Sequence, residues 1–189
     1  GGFGHVGSKV TIKMKIKHHG EVNRARYCPQ NSFLVATKGI SSDVYVFDIS
    51  KHSSFVDEKA PFNPQFRLTG LEGEGYGLSW NPLKEGSIIS SGQDNSICLW
   101  NIKELKSNST KSVNVPFSAR FTSHTDMVED VCWHNFQENV FGSVSDDRSL
   151  LIWDARPSSS TTKPTSSVYN AHKSDINGLS FSPLNEFIL

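Results

Sequence analysis

The sequence predicts an all-β protein made of repeated four-stranded units. Residues 10–17, VTIKMKIK, alternate apolar and polar side chains, which is the pattern of a strand with one buried face. Clusters of Gly, Pro, Asn, Asp and Ser separate such stretches, and these residues favour turns. Aromatic residues recur at a fixed spacing, which indicates one structural unit repeated along the chain.

Residues 121–154 show this repeat in its most complete form. His124 is followed by Trp133 and by Trp153, with small residues and an Asp-Asp turn between the two tryptophans. This order resembles a WD40 repeat, whose four-stranded units are the blades of a β-propeller. The equivalent residues one and two periods of 53 residues earlier are Leu71, Trp80 and Trp100, then His18, Tyr27 and Phe47. All 4 tryptophans therefore occupy repeat positions and are expected to pack in the core.

Four repeats follow one another, at about residues 10–48, 66–101, 118–154 and 168–189. The strands predicted for the first are residues 10–17, 24–27, 33–36 and 44–48, and those for the second are 66–68, 76–80, 87–91 and 97–101. The third has strands near residue 120 and at 128–133, 140–145 and 150–154. The fourth begins at Val168 and has no room for a second aromatic position.

Three polar segments interrupt the repeats, at residues 51–65, 103–118 and 158–167, and the last is the low-complexity run SSSTTKPTSS. About three and a half blades cannot close a ring. We therefore expect an incomplete propeller from a longer chain, unstable as an isolated polypeptide because its end blades expose apolar faces.

Composition excludes several classes of protein. Lys plus Arg and Asp plus Glu number 19 each, so the chain lacks the basic footprint typical of nucleic-acid binding. No apolar run is long enough for a membrane span. Cys28, Cys98 and Cys132 have no metal-ligand spacing, which predicts reduced, buried thiols in an intracellular protein with no metal or cofactor. Residues 108–110 form a glycosylation sequon by pattern only.

His124, Ser143, Asp147 and Trp153 invite comparison with a catalytic set. In WD40 repeats such residues form a buried hydrogen-bond network, and a buried carboxylate and imidazole are tolerated only when paired in this way. Repetition favours the structural role, because catalysis needs one site. Leu71 replaces the His of the second repeat and Ser41 the turn Asp of the first, so those blades are expected to depend more on packing.

The glycine-rich segment 70–77, GLEGEGYG, resembles a phosphate-binding loop. It leads into a predicted strand, however, and no helix follows to supply oriented amides. Its glycines are better explained by a tight approach to the innermost strand.

Residues three and five positions after each His position are equivalent between repeats, yet the fold does not dictate them. In a propeller they lie where each loop reaches its inner strand, at the rim of the central channel. Carboxylates and amides there suit a cationic, extended peptide, since charge-assisted hydrogen bonds contribute about 1.5–3 kcal/mol each. The predicted rim residues are Glu21, Asn23, Glu74, Tyr76, Glu129, Asp175 and Asn177.

The strings GEVNRARYCPQN, SSDVYVFD, EGYGLSWNP, MVEDVCWH and SFSPLNEFIL closely resemble the retinoblastoma-associated histone-binding proteins, which include the small WD40 subunit of chromatin assembly factor one. The resemblance implies a seven-bladed, nuclear, non-enzymatic scaffold for chromatin assembly, deacetylase, remodelling and Polycomb complexes. It also implies that the rim holds the histone H3 tail, with Asp175 in place of a Glu common in the family. The family's histone H4 site uses segments absent from this sequence, so H4 binding is expected only of a full-length protein.

Two other functions share the fold. A substrate-receptor subunit of a ubiquitin ligase would dock an adaptor on its outer face and would tolerate charge reversal at the rim. A hydrolytic propeller would lose turnover, and keep its fold, on Ser143→Ala.

Overall fold

The computed structural model describes residues 10–55, 59–106, 111–157 and 161–189. The sequon at 108–110 and the start of the serine-rich segment, 158–160, lie outside these ranges. The described residues form a 3-10 helix, Ile49–Lys51, and these strands in chain order: β1 (Val22–Cys28), β2 (Asn31–Gly39), β3 (Val44–Asp48), β4 (Phe66–Thr69), β5 (Leu78–Trp80), β6 (Ser87–Ser91), β7 (Ser96–Asn101), β8 (Val113–Pro116), β9 (Ala119–Thr122), β10 (Val128–Trp133), β11 (Val140–Ser145), β12 (Leu150–Asp154) and β13 (Ser166–Val168).

The strands form three sheets with the same plan. Their orders are β1-β2-β3-β4-β8, β5-β6-β7-β9 and β10-β11-β12-β13. In each sheet three successive strands make an antiparallel meander, and a fourth strand from further along the chain pairs with the third. The all-β prediction is confirmed, and the arrangement is that of a partial β-propeller.

The outer strands differ from the prediction. Residues 10–17 form no strand, because the edge of β3 that they would occupy is taken by β4, with Val44 opposite Leu68 and Val46 opposite Phe66. Their alternation still appears in burial, since Met14 and Ile16 line an apolar groove on the first sheet while Lys13, Lys15 and Lys17 are exposed. Each sheet is thus completed by a strand that the sequence repeat assigns to the following blade.

The segment 103–118 is also not simply a polar loop. Within it β8 runs parallel to β4 and extends the first sheet by one strand. Val115 is buried in the core between the first two sheets, so the alternation in VNVP gives this short strand an apolar side.

Two apolar cores lie between successive sheets. Trp80 and Trp100 belong to the first core, and Trp133 and Trp153 to the second. All four are buried, as predicted, and Trp153 and Phe141 stack with ring centroids 6.1 Å apart. The middle sheet contributes to both cores, and every residue of β6 is buried.

The outer sheets keep apolar surface exposed. Tyr27 and Phe33 on the first sheet are more than half exposed, and so are Leu184 and Phe187 near the end of the sequence. In a propeller a neighbouring blade covers such faces.

Candidate peptide-binding face

The residues predicted to form a structural network lie in one hydrogen-bonded chain. Trp153 Nε1 donates to Ser143 Oγ at 2.8 Å, and Ser143 Oγ lies 2.7 Å from His124 Nε2. His124 Nδ1 lies 2.8 Å from a carboxylate oxygen of Asp147. The chain ties the core of the third sheet to the turn between β11 and β12.

The surroundings of His124 and Asp147 determine their protonation states. Burial lowers the pKa of His124, opposed by its hydrogen bond to Asp147, so the imidazole is neutral at pH 7. Burial would raise the pKa of Asp147, but hydrogen bonds from Ser149, the Thr125 N–H and His124 lower it to about 2. A neutral imidazole with Nδ1 as donor and Nε2 as acceptor satisfies every bond in the chain.

This geometry leaves no room for hydrolysis at Ser143, because the serine is fully buried and its hydroxyl is held between Trp153 and His124. The three cysteines are free, and burial raises the pKa of Cys98 to about 12, which makes it a poor nucleophile. Across the described ranges, no group of three or more His, Cys, Asp or Glu side chains could hold a metal ion. In the same ranges no helix is long and apolar enough to cross a membrane.

Blades that lack the full network use ion pairs as well as packing. In the second sheet Arg120 on β9 donates to Asp94 at 2.7 Å. In the first sheet Arg67 on β4 donates to Asp43 at 2.5 Å, while His18 Nε2 lies 2.9 Å from Thr37 Oγ1. Outer-strand arginines thus hold turn carboxylates that have no His partner, a compensation that the aligned repeat positions did not indicate.

Two predicted rim residues lie at register shifts where an innermost strand begins. Pairing of β1 with β2 shifts between Val22 and Arg24, at Asn23. Pairing of β10 with β11 shifts between Val128 and Asp130, at Glu129. Such an irregularity takes a side chain out of the sheet's alternation and can turn it toward the end of the sheet. The same local geometry therefore recurs at equivalent positions of the first and third repeats.

Glu74 and Tyr76 lie in the loop that leads into β5, and the first sheet holds this loop. The Asn23 side chain donates to Gly75 O at 3.1 Å. A Cβ at Gly75 would lie 2.3 Å from Ser91 O, so the close approach requires glycine. Glu74 accepts a hydrogen bond from Gln93 at 3.2 Å, and Tyr76 is partly exposed.

Lys38 supports the same loop and was missed in the sequence. Its side chain is fully buried, and its ammonium donates to Ser41 O, Ser42 O and Gly73 O at 2.6, 3.0 and 3.1 Å. Burial lowers the pKa of Lys38 to about 8, opposed by Asp43, Asp94 and Glu74. Its place in β2 aligns with Ser91 of the second repeat and with the buried Val144 of the third, so a lysine where the other repeats have small or apolar residues was the available signal.

Carboxylates of the third and fourth repeats accumulate next to Glu129. Burial raises the pKa of Glu129, and Asp146, Asp175 and Asp130 raise it further, while Arg24 lowers it. Burial and Asp175 also raise the pKa of Asp146, a residue of the β11–β12 turn that the sequence did not single out for the rim. We call Glu129, Asp146 and Asp175 the acidic cluster.

The predicted rim residues fall into two groups. One is the loop of Glu74 and Tyr76, held by Asn23 and Lys38, and the other is the acidic cluster. Glu21, immediately before β1, and Asn177, two residues after Asp175, are exposed. Arg24 on β1 joins the first sheet to the third through an ion pair with Asp130 at 2.9 Å.

Comparison with known proteins agrees with the repeat pattern. Residues 116–154 match the family described as WD domain, G-beta repeat. The structure resembles a chain in the crystal structure of the mitotic checkpoint complex, with a TM-score of 0.64 and 14% sequence identity over 86% of this chain. The match covers 41% of that chain, so the sequence corresponds to less than half of its length. At this identity the likeness shows the fold alone, and the WD40 match indicates a protein-interaction scaffold.

Proposed function

We propose that this chain is a non-catalytic histone-binding scaffold whose rim holds the basic histone H3 tail. The acidic cluster is the observation that carries the proposal. Burial raises the pKa values of Glu129 and Asp146, and the neighbouring carboxylates, Asp175 of the next repeat among them, raise both further. Like charges at this spacing repel, and a bound cation relieves the repulsion.

The second part of the rim adds specificity to this charge. Tyr76 presents a partly exposed aromatic ring, and Glu74 lies two residues before it. Hydrogen bonds from Lys38 and Asn23 hold the loop that carries both. A lysine or arginine side chain can contact an aromatic face and a carboxylate at once, and both contacts favour a cation. An extended basic peptide across the rim would place alternate side chains in the two parts.

The family resemblance supports the choice of ligand. The strings that carry it, GEVNRARYCPQN, EGYGLSWNP and MVEDVCWH, include five of the seven predicted rim residues: Glu21, Asn23, Glu74, Tyr76 and Glu129. On this proposal the protein acts in the nucleus and presents histone H3 to chromatin assembly, deacetylase, remodelling or Polycomb complexes. Histone H4 binding is proposed only for a full-length protein, because no residue of this sequence supports it. No direct contact with nucleic acid or membrane is proposed.

A pair of peptides tests this assignment. Fluorescence anisotropy would compare an unmodified H3 tail peptide with a scrambled peptide of the same composition, each titrated with the full-length protein. Tighter binding of the H3 sequence is expected, because two separated subsites require cations at fixed spacing. Equal binding of both peptides would show that the rim binds basic peptides regardless of their sequence, and would overturn the histone assignment.

A further inference from the structure

Asp130 is the most enclosed carboxylate next to the acidic cluster. It follows Glu129 in β10 and is buried, whereas Asp175 is exposed and Glu129 is half-buried. One carboxylate oxygen of Asp130 accepts from Arg24 Nη1 at 2.9 Å and from the Val131 N–H at 3.0 Å. The other oxygen accepts from the Leu179 N–H at 3.2 Å. A carboxylate with these partners is already satisfied without a ligand.

Arg24 reaches Asp130 from a distant part of the chain, 106 residues earlier. Its side chain is about a quarter exposed, so it keeps some contact with solvent while it holds the buried carboxylate. One of its five donors makes this bond, and the planar group can stack or donate further. Arg24 thus places a fixed cation on Asp130, next to Glu129 of the acidic cluster, whose pKa it lowers.

We propose that Arg24 is an internal counter-cation that occupies Asp130 and restricts a cationic ligand to Glu129, Asp146 and Asp175. The inference rests on the proposed function and concerns the selectivity of the same face. With Arg24 in place, an incoming lysine or arginine meets three outer carboxylates and one positive charge. Without it, the ligand meets four carboxylates in a partly enclosed site, where the field of each is stronger.

A matched pair of variants separates this role from a change in overall charge. Arg26 lies two residues further along β1, is exposed, and donates only to the neighbouring Ala25 carbonyl among the bonds described. Arg24→Gln and Arg26→Gln therefore remove the same charge from the same strand. Binding of the H3 tail peptide would be measured by anisotropy for both variants of the full-length protein, with thermal melts to establish folding.

We expect Arg24→Gln to bind the peptide roughly three- to tenfold more tightly than wild type, and Arg26→Gln to change binding less than twofold. Arg24→Lys keeps the charge and should bind like the wild type. Asp130→Asn should have little effect alone and should cancel the gain when combined with Arg24→Gln, because the ligand reaches Asp130 only after Arg24 is removed.

Three outcomes decide the matter. Equal effects of Arg24→Gln and Arg26→Gln, or weaker binding by Arg24→Gln, would overturn the inference while the proposed function stands. Absence of peptide binding by the wild type would overturn the proposed function and this inference with it. If Arg24→Gln does not fold, the comparison of Arg24→Lys with Asp130→Asn decides: the inference fails if Asp130→Asn weakens binding strongly.

Discussion

The ammonium nitrogen of Lys38 lies 3.1 Å from the carbonyl oxygen of Gly73, so a buried cation of the first sheet holds the loop that leads into the second. Two more carbonyls, of Ser41 and Ser42, accept hydrogen bonds from the same nitrogen. The contact links a core position to Glu74, the next residue after Gly73 and part of the proposed rim.

Lys38→Met should therefore affect both stability and binding. Three carbonyl oxygens, of Ser41, Ser42 and Gly73, lose a charged donor, and we expect a loss of about 1–3 kcal/mol in the free energy of unfolding, measured by urea denaturation. The loop of Glu74 should loosen and H3 peptide binding should weaken. Lys84→Met, at an exposed lysine, is the control and should change neither. A variant as stable as the wild type would show that Lys38 is not required to hold the loop.

Ser143→Ala tests the hydrogen-bonded chain of the third sheet. It leaves Trp153 Nε1 and His124 Nε2 buried without their partner, which should cost about 1–3 kcal/mol of unfolding free energy. Ser118→Ala removes an exposed hydroxyl that donates to Leu99 O at 2.9 Å and should cost no more than about 0.5 kcal/mol. Similar losses in chemical denaturation of both variants would contradict the structural role of Ser143.

The buried His124 predicts a particular dependence of stability on pH. Its folded pKa lies below the unfolded value of about 6.5, so the unfolded state takes up a proton first as the pH falls. The free energy of unfolding should decrease from about pH 6.5 downward, toward the lowered pKa of the folded state. Asp147, with a pKa of about 2, stays ionised through this range.

The measurement is the melting temperature at pH 7.5 and pH 5.0, for the wild type and for His124→Gln. The wild type should lose more stability on acidification than the variant, which lacks the titrating ring. The same loss in both proteins would show that His124 does not account for the acid sensitivity.

The ion pairs of Arg120 and Arg156 should differ in strength because their surroundings differ. Asp94 is largely buried, and Arg120→Met removes its cation, so we expect a loss of about 1–3 kcal/mol in equilibrium unfolding. Arg156 pairs with Asp154 on a side chain that is 65% exposed, so solvent screens this pair and Arg156→Met should cost less stability than Arg120→Met. A larger loss of stability in Arg156→Met than in Arg120→Met would contradict this order. It would show that the Arg120 ion pair does not compensate for the hydrogen-bond network that the second sheet lacks.

Much of the fold could be predicted because aromatic residues recur at fixed positions in each repeat. The strands at 44–48, 87–91, 128–133, 140–145 and 150–154 match the structure at both ends. The outer strands were assigned to the wrong sheet, since sequence order does not tell which edge a connecting strand pairs with, and β4 occupies the edge predicted for residues 10–17. The parallel pairing of β8 is likewise a tertiary contact with no local signal beyond two alternating valines.

The predicted site rests on equivalent positions of the repeats. Alignment of the repeats selected Glu74 and Glu129, because residues three and five positions after each His position should lie at the same end of every blade. Asp146 and Lys38 were not identified, since one belongs to a different turn and the other aligns with a core valine. Their importance follows from contacts between repeats, and contacts between distant positions are not visible in one sequence.

We propose that the acidic rim binds the H3 tail. The most direct test is an anisotropy titration of the unmodified tail peptide against the full-length protein and its Glu74→Lys, Glu129→Lys double variant, at two salt concentrations. We predict binding that weakens with salt in the wild type and is abolished in the variant, with an unchanged melting temperature. Equal binding by both proteins would contradict the account and would move the interaction to the outer edge, where a ligase adaptor would dock.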